Sequence, residues 1–284
     1  MERESMEYDV VIVGGGPAGL SCAIKLAQLT KENPLSICLL EKGSEIGAHI
    51  LSGNVFQTTA LDELIPDWKD KNAPLTTPVK KDKIMFLTKS SGISIPAFFM
   101  PPMNNHGNYI ISLGNLCRWL GTEAENLGIE IFPGFPASEL LYQDDKVIGV
   151  RTGDMGIDEN GEKKDSYEPG IDILAKYTIL SEGCRGHLGK EVISKYGLDN
   201  GKDPQHYGIG FKEIWKIKPE NHQEGLVMHT NGWPSPSDTP AGSYLYHGPN
   251  NEVYLGYVVP LDYKRSEEHT SELQSRPHIS YAVF

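Results

Sequence analysis

The sequence predicts an α/β protein, a Rossmann-like dinucleotide-binding domain followed by a mainly antiparallel β second lobe. Three observations carry this reading. An apolar run at Tyr8–Val13 leads into the glycine-rich Gly14–Gly19 and then a helically spaced segment. A second apolar run, Leu35–Glu41, completes a β–turn–α–β order within about 35 residues, the arrangement of a nucleotide-binding unit. After about Asp203 the text changes to short aromatic and β-branched segments, the signature of antiparallel strands.

Taken in order, Tyr8–Val13 is apolar throughout, as a strand buried on both faces must be. Pro17–Thr30 places Leu20, Ile24 and Ala27 at helical spacing, and Leu35–Glu41 is a second buried strand. Residues 47–108 mix apolar and Pro-rich text and read as an irregular insertion. Leu113–Leu127 reads as an amphipathic helix, with Leu113, Leu116, Cys117, Leu120, Ala124 and Leu127 on one stripe. Strands follow at Ile129–Phe132, Ser138–Tyr142 and Val147–Arg151, the last two joined by a turn at Asp144-Asp145. Gly153–Gly170 is a polar surface loop or wide hairpin, and Ile173–Leu180 returns as a buried strand running into Glu182-Gly183. The β-rich lobe holds Tyr207–Ile217, Gly225–Thr230, Ser243–His247 and Val253–Val259. No internal repeat is visible.

The 284 residues carry a formal charge of −12 and are 39% hydrophobic. That composition excludes wholesale disorder. The acidic balance argues against nonspecific nucleic-acid binding, which needs basic surface. No apolar run reaches the roughly 18–20 residues of a bilayer span, and Met1–Asp9 has no targeting character. Cys22, Cys38, Cys117 and Cys184 are scattered without a C-x-x-C pair, so they read as free thiols. From Arg265 to Phe284 the text matches a sequencing-library adapter translated in one frame. Residues 265–284 are therefore expected to be non-native, and the natural chain to have been cut at Lys264.

The chemistry concentrates in Gly14-Gly15-Gly16-Pro17-Ala18-Gly19, a G-x-G-x-x-G between strand and helix. Gly14 permits the tight turn, Gly16 lets backbone approach a diphosphate, and Gly19 lets the helix pack close to the strand. The helix N-terminus offers free N–H groups to phosphate, and Pro17 suits its first turn. Glu41, 22 residues beyond Gly19 and followed by Lys42, stands where a carboxylate would bind the adenosine ribose hydroxyls. The strand–Glu182-Gly183 junction resembles the second signature of FAD-binding proteins of the glutathione-reductase superfamily, and no second G-x-G-x-x-G in strand–helix context appears, so FAD outweighs NAD. His49 reads as structural in preference to a neighbour of the flavin ring, and Arg118 as a surface ion pair in preference to a phosphate ligand. No catalytic triad or metal cluster is apparent; a flavin carries its own redox chemistry.

Several runs then resemble a known family. Gly47-Ala48-His49-Ile50-Leu51-Ser52-Gly53, Pro66-Asp67-Trp68 and Pro102-Met103-Asn104-Asn105-His106-Gly107-Asn108-Tyr109 resemble electron-transfer flavoprotein–ubiquinone oxidoreductases. So do Glu182-Gly183-Cys184-Arg185-Gly186-His187-Leu188, Tyr207-Gly208-Ile209-Gly210 and Leu245-Tyr246-His247. The resemblance implies an FAD-binding fold of the glutathione-reductase superfamily, here truncated. It also implies a flavoenzyme passing electrons from reduced electron-transfer flavoprotein to ubiquinone, with a 4Fe–4S cluster whose ligands are not in this chain. Monotopic membrane association is implied through Gly47–Trp68, on the cytoplasmic face of a bacterial inner membrane or the mitochondrial inner membrane of eukaryotic relatives. At the quinone pocket, Ala241 and Gly242 stand where the family has two glycines, so the alanine is a departure. The expected organisation is 1–205 for the FAD-binding domain, including 47–108, and 206–264 for a partial quinone-binding lobe. The 284-residue chain alone is expected to be inactive. Two other readings remain: an FAD-dependent hydroxylase or prenyl reductase of the same fold, or an inactive nucleotide-binding fragment.

Overall fold

The structure is a computed structural model that describes residues 3–51, 53–96, 100–236 and 238–262; the adapter-like tail lies outside them. In chain order the elements begin β1 (Ser5–Val13), α1 (Pro17–Leu29), β2 (Ile37–Glu41), β3 (Asn54–Phe56), α2 (Thr59–Leu64) and β4 (Thr77–Pro78). They continue β5 (Lys81–Leu87), β6 (Gly92–Ile95), β7 (Tyr109–Ile111), α3 (Leu113–Asn126), β8 (Glu130–Pro133), β9 (Ala137–Gln143) and β10 (Lys146–Thr152). Then come β11 (Met155–Ile157), β12 (Lys163–Glu168), β13 (Asp172–Leu180), α4 (His187–Tyr196), β14 (Gly208–Lys216), β15 (Leu226–Gly232), β16 (Gly242–His247) and β17 (Glu252–Pro260).

Two compact units divide the chain. The first comprises 1–50, 63–73 and 113–202; the second comprises 51–62, 74–112 and the chain from Asp203 on. In the first, a six-stranded sheet runs β8-β2-β1-β13-β10-β9. Its first three ladders are parallel, and the two that add β10 and β9 are antiparallel. Burial on both faces explains the unbroken apolar text of β1 and β2: Val11, Ile12, Cys38 and Leu39 have no exposed surface. Ile12 lies beneath α1, close to Gly19. Val11 and Val13 join Leu40, Val150, Ile173 and Leu188 in a separate cluster. Helix α1 contributes Leu20 and Ile24, both fully buried, each worth roughly 1.5–3 kcal/mol. Helix α3 buries Leu116, Cys117, Leu120 and Ala124, while Leu127, just past its end, is 41% exposed. Asp144 and Asp145 both take positive φ, 47° and 62°, in the tight turn between β9 and β10, the geometry that short hairpins demand. Gly153–Gly170 contains the two-stranded β11–β12 hairpin.

The second unit holds the sheet β14-β17-β16-β15-β5-β6, antiparallel except where β15 pairs with β5. A smaller sheet, β3-β7-β4, completes it. Val79, Ile110, Val227, Tyr246 and Tyr254 form its buried cluster. One expectation is corrected here. Residues 47–108 do not form one irregular insertion of the first domain: 51–62 and 74–108 belong to the second unit, where β5 and β6 are strands of its sheet, and 47–50 and 63–73 to the first. Lys81, Asp82 and Lys83 at the start of β5 hide the alternation that marks a half-buried strand. Helix α4 carries no local signal in the sequence, because only Leu188 of it is buried.

Candidate functional site

In the first unit, β1 runs straight into the glycine turn. Gly14 takes φ +107°, and a side chain there would meet Ser181 O at 2.3 Å. This position therefore needs glycine for conformation and for contact with the end of the neighbouring strand. Gly19 is excluded from any larger residue by Gly14 O at 2.0 Å. Gly16 differs: a Cβ added there meets nothing within 4 Å, so its outward face is open. Gly16 is also the N-cap of α1, with no side-chain cap, Pro17 at the helix start and no acidic residue in the first turn. Ala18 and Gly19 follow within that turn. An uncapped N-terminus free of carboxylates beside an open glycine suits a diphosphate.

Glu41 ends β2 beside this turn. Its Oε2 accepts the Gly15 N–H at 2.9 Å and its Oε1 accepts the Gly43 N–H at 2.7 Å. The carboxylate thus ties the glycine turn to the chain leaving β2, and each oxygen retains a lone pair for a hydroxyl. A side chain at Gly15 would strike Ile46 Cδ1 at 2.5 Å, so that glycine is fixed by packing against the same region. Lys42 is exposed. The residues around Gly14–Gly19 and Glu41 therefore fit the diphosphate and ribose of a dinucleotide such as FAD.

Glu182 serves a different partner within the chain. Its Oε2 accepts the Gly189 N–H at 2.8 Å and its Oε1 the Leu188 N–H at 3.3 Å. It caps α4, whose own N-cap, Gly186, has no side chain to offer. Gly183 takes φ +78° and a Cβ there would meet nothing. Arg118 pairs with Glu45 at 2.8 Å on the surface, and His49 is exposed. Along Gly47–Trp68, Leu61, Ile65 and Trp68 are 3–4% exposed, so these apolar side chains are spent on the protein interior.

The second unit has its own concavity, a cavity of about 730 Å³, within the range of small-molecule sites. Ala241 and Gly242 line it, together with Met103, His229, Asn231 and Tyr244. At its mouth Phe86, Trp233 and Val258, also lining residues, are 44–53% exposed. Gly242 has a structural reason as well: a Cβ would lie 2.8 Å from Thr230 O of the next strand. The family resemblance pointed to Ala241 and Gly242, and nothing in the sequence pointed to His229. His229 stands opposite Tyr244 in the β15–β16 ladder, and its Nε2 meets the Tyr246 hydroxyl at 2.8 Å. A histidine between β-branched and aromatic text gives no signal until the pairing of strands is known.

The four cysteines stand as free thiols. Burial pushes the Cys38 and Cys117 thiols up to about 12, so neither is a thiolate. Among the described residues no group of three or more metal-ligating side chains comes together. The described residues do not fit an iron–sulfur cluster. Among the described residues no helix is long and apolar enough to cross a membrane.

Comparison with known proteins adds to this geometry. Residues 207–280 match the family model "ETF-QO, ubiquinone-binding", and residues 12–65 match "NAD(P)-binding Rossmann-like domain". The chain is 54% identical to the electron transfer flavoprotein-ubiquinone oxidoreductase of Pseudomonas aeruginosa, over 99% of this chain and 50% of that protein. It is 52% identical to the mitochondrial protein of that name in Arabidopsis thaliana, over 92% of this chain and 41% of the relative. For Homo sapiens the identity is 49%, over 93% and 44%. The chain spans about half the length of the curated relatives it matches. Among solved structures, a geranylgeranyl bacteriochlorophyll reductase-like protein of Thermoplasma acidophilum superimposes with a TM-score of 0.67 at 18% identity, covering 94% of this chain and 60% of that one. A myxobacterial FAD-dependent halogenase gives 0.61 at 14%, covering 95% and 55%. These two likenesses show the fold alone. By its sequence, the chain belongs to the electron-transfer flavoprotein–ubiquinone oxidoreductase family.

Proposed function

We propose that this chain is the FAD- and quinone-binding portion of an oxidoreductase that passes electrons from reduced electron-transfer flavoprotein to ubiquinone. The observation that carries the reading is the pairing of two sites in one chain. One is the open, uncapped glycine turn braced by Glu41; the other is the cavity lined by Ala241 and Gly242. Bound FAD would supply reversible two-electron redox chemistry, which accepts reducing equivalents from one partner and releases them to another. Gly14, Gly15, Gly16, Pro17, Ala18 and Gly19 would hold its diphosphate, and Glu41 with Lys42 its ribose end. Gly183 would border it, while Glu182 fixes the helix that follows. The protein's task is to bind and orient the two ligands.

In the second unit, the apolar mouth formed by Phe86, Trp233 and Val258 suits a lipid-soluble quinone. Work at a membrane surface, monotopic and on the inner membrane, follows from the family resemblance. The buried Leu61, Ile65 and Trp68 do not supply the contact. A 4Fe–4S cluster belongs to the same resemblance and has no ligand assigned in this chain.

The test is direct binding to the purified 284-residue protein. Quenching of flavin fluorescence on titration should report FAD binding that FMN, lacking the adenosine diphosphate end, does not match. A short-tailed ubiquinone should quench Trp233. Equal affinity for FAD and FMN would overturn the flavin part, and absence of quinone quenching the quinone part.

A further inference from the structure

One ladder row of the second unit's large sheet forms a wall of its cavity. Val258 is paired with Gly242, Gly242 with Asn231, and Asn231 with Phe86 or its neighbours in β5. Ladder partners present their side chains to the same face of a sheet, and all four residues line the cavity. Val258 and Phe86 are apolar, and Gly242 contributes no side chain. Asn231 is thus the polar member of the row. It is exposed, and its backbone runs between β16 and β5, so what it exposes is its side chain.

The orientation of the amide is decided by its neighbours. Its nitrogen faces two backbone carbonyls, donating to Ala241 O and to Thr230 O, each at 3.2 Å. Gly242 makes room for this, since a Cβ there would lie 2.7 Å from the amide. Among the described residues both hydrogen bonds of the side chain are donations. The N–H groups are then spent, and Oδ1 stands at the other corner of the planar group as an acceptor with two lone pairs. With the nitrogen's edge turned to the backbone, the oxygen's edge is the one turned to open space.

An acceptor on the wall selects for a donor. No Asp, Glu, Lys or Arg is found among the described lining residues, so a neutral ligand suits the cavity better than an ion. A quinone's ring oxygens are carbonyls, which only accept; one placed against Oδ1 would desolvate two acceptors without forming a bond. In the hydroquinone the same oxygens are hydroxyls, and an O–H can donate.

We propose that Asn231 Oδ1 accepts a hydrogen bond from a ring hydroxyl of the reduced ligand, so that the cavity holds a hydroquinone in preference to its quinone. This rests on the quinone reading of the preceding subsection and adds to it the redox form that the wall recognises. Asn231 serves the fold as well, since its nitrogen holds the entry to β16 at Ala241. Only its oxygen distinguishes one redox form from the other.

Equilibrium dialysis of the 284-residue protein under argon tests this, with a short-tailed ubiquinone and its hydroquinone measured separately. The unaltered protein should bind the hydroquinone about fivefold to tenfold more tightly than the quinone, the worth of one hydrogen bond. Asn231→Leu keeps the volume and removes the acceptor. It should raise the hydroquinone Kd by that factor and leave the quinone Kd within about twofold, with the circular dichroism of the fold retained. Asn231→Val, which suits a strand, carries the comparison if Asn231→Leu does not fold. A purely structural role would weaken both forms together. That outcome, or equal affinity of the unaltered protein for the two forms, overturns the role of Asn231 and leaves the quinone site standing. No binding of either form to the unaltered protein overturns the quinone reading and the proposal with it.

Discussion

At the scale of single residues, the glycine turn shows why similar residues are not interchangeable. Gly14 is required by its φ of +107° and Gly19 by its contact with Gly14 O, whereas Gly16 faces open space. As a candidate ribose ligand, Glu41 was legible from its spacing alone. Its two backbone hydrogen bonds to Gly15 and Gly43 were not, because they depend on how the turn folds over β2. Glu41→Gln replaces one acceptor oxygen with a donor facing an N–H. It should cost about 1–3 kcal/mol in urea unfolding without any nucleotide present; an unchanged midpoint would restrict Glu41 to ligand contact. Lys212 gives a pH prediction. Burial lowers its ammonium to about 8 from 10.5, although it donates to Gly53 O. Below pH 8 the folded state bears the cost of a charged, half-buried amine. Between about 8 and 10.5 the unfolded state binds more protons, so stability rises with pH. Lys212→Met has no such proton to release. Its melting temperature relative to the unaltered protein should therefore be highest below pH 8 and decline as pH approaches 10. A pH-independent difference would contradict the burial of the amine.

At the scale of elements, β1, α1, β2 and α3 were readable because each meets one dominant condition, burial on both faces or on one stripe; β13 was readable as an apolar run although only Ile173 of it is buried and Tyr177 is 71% exposed. Helix α4 was not, because its stability is borrowed. Leu188 alone is buried, and the N–H groups of its first turn are satisfied by Glu182 from outside the helix. A sequence reading that saw Glu182-Gly183 as a cofactor contact had no means of seeing the cap. Glu182→Ala should destabilise the protein by about 1–2 kcal/mol in the absence of FAD. The Leu188 and Gly189 amides should lose hydrogen-exchange protection first. Retained protection at both amides would show that the carboxylate does not hold the helix. The β5 strand was hidden for another reason. Its partner in the sheet is β15, with Lys81 aligned to Leu226, and no local pattern encodes a parallel pairing between segments so distant in the chain.

At the scale of the whole molecule, the chain passes back and forth between two compact units, each built from three separate stretches. The composition change near Asp203 therefore announced the second unit without revealing that 51–62 and 74–112 also belong to it. The proposed FAD site, the glycine turn with Glu41, lies in the first unit, and the proposed quinone cavity with Ala241 lies in the second. Binding at the two sites should then be separable by mutation. Ala241 is 9% exposed and lines the cavity. Ala241→Phe adds a ring to the space a quinone would take, at an overpacking cost of about 1–3 kcal/mol. Quinone affinity should fall at least about tenfold, while the FAD Kd stays within about twofold of the unaltered protein, since an independent site shares no contact to lose. Titrating both ligands against both proteins measures all four constants. If FAD binding falls in step with quinone binding while the circular dichroism is unchanged, the two units are coupled, and the assignment of one ligand to each core fails.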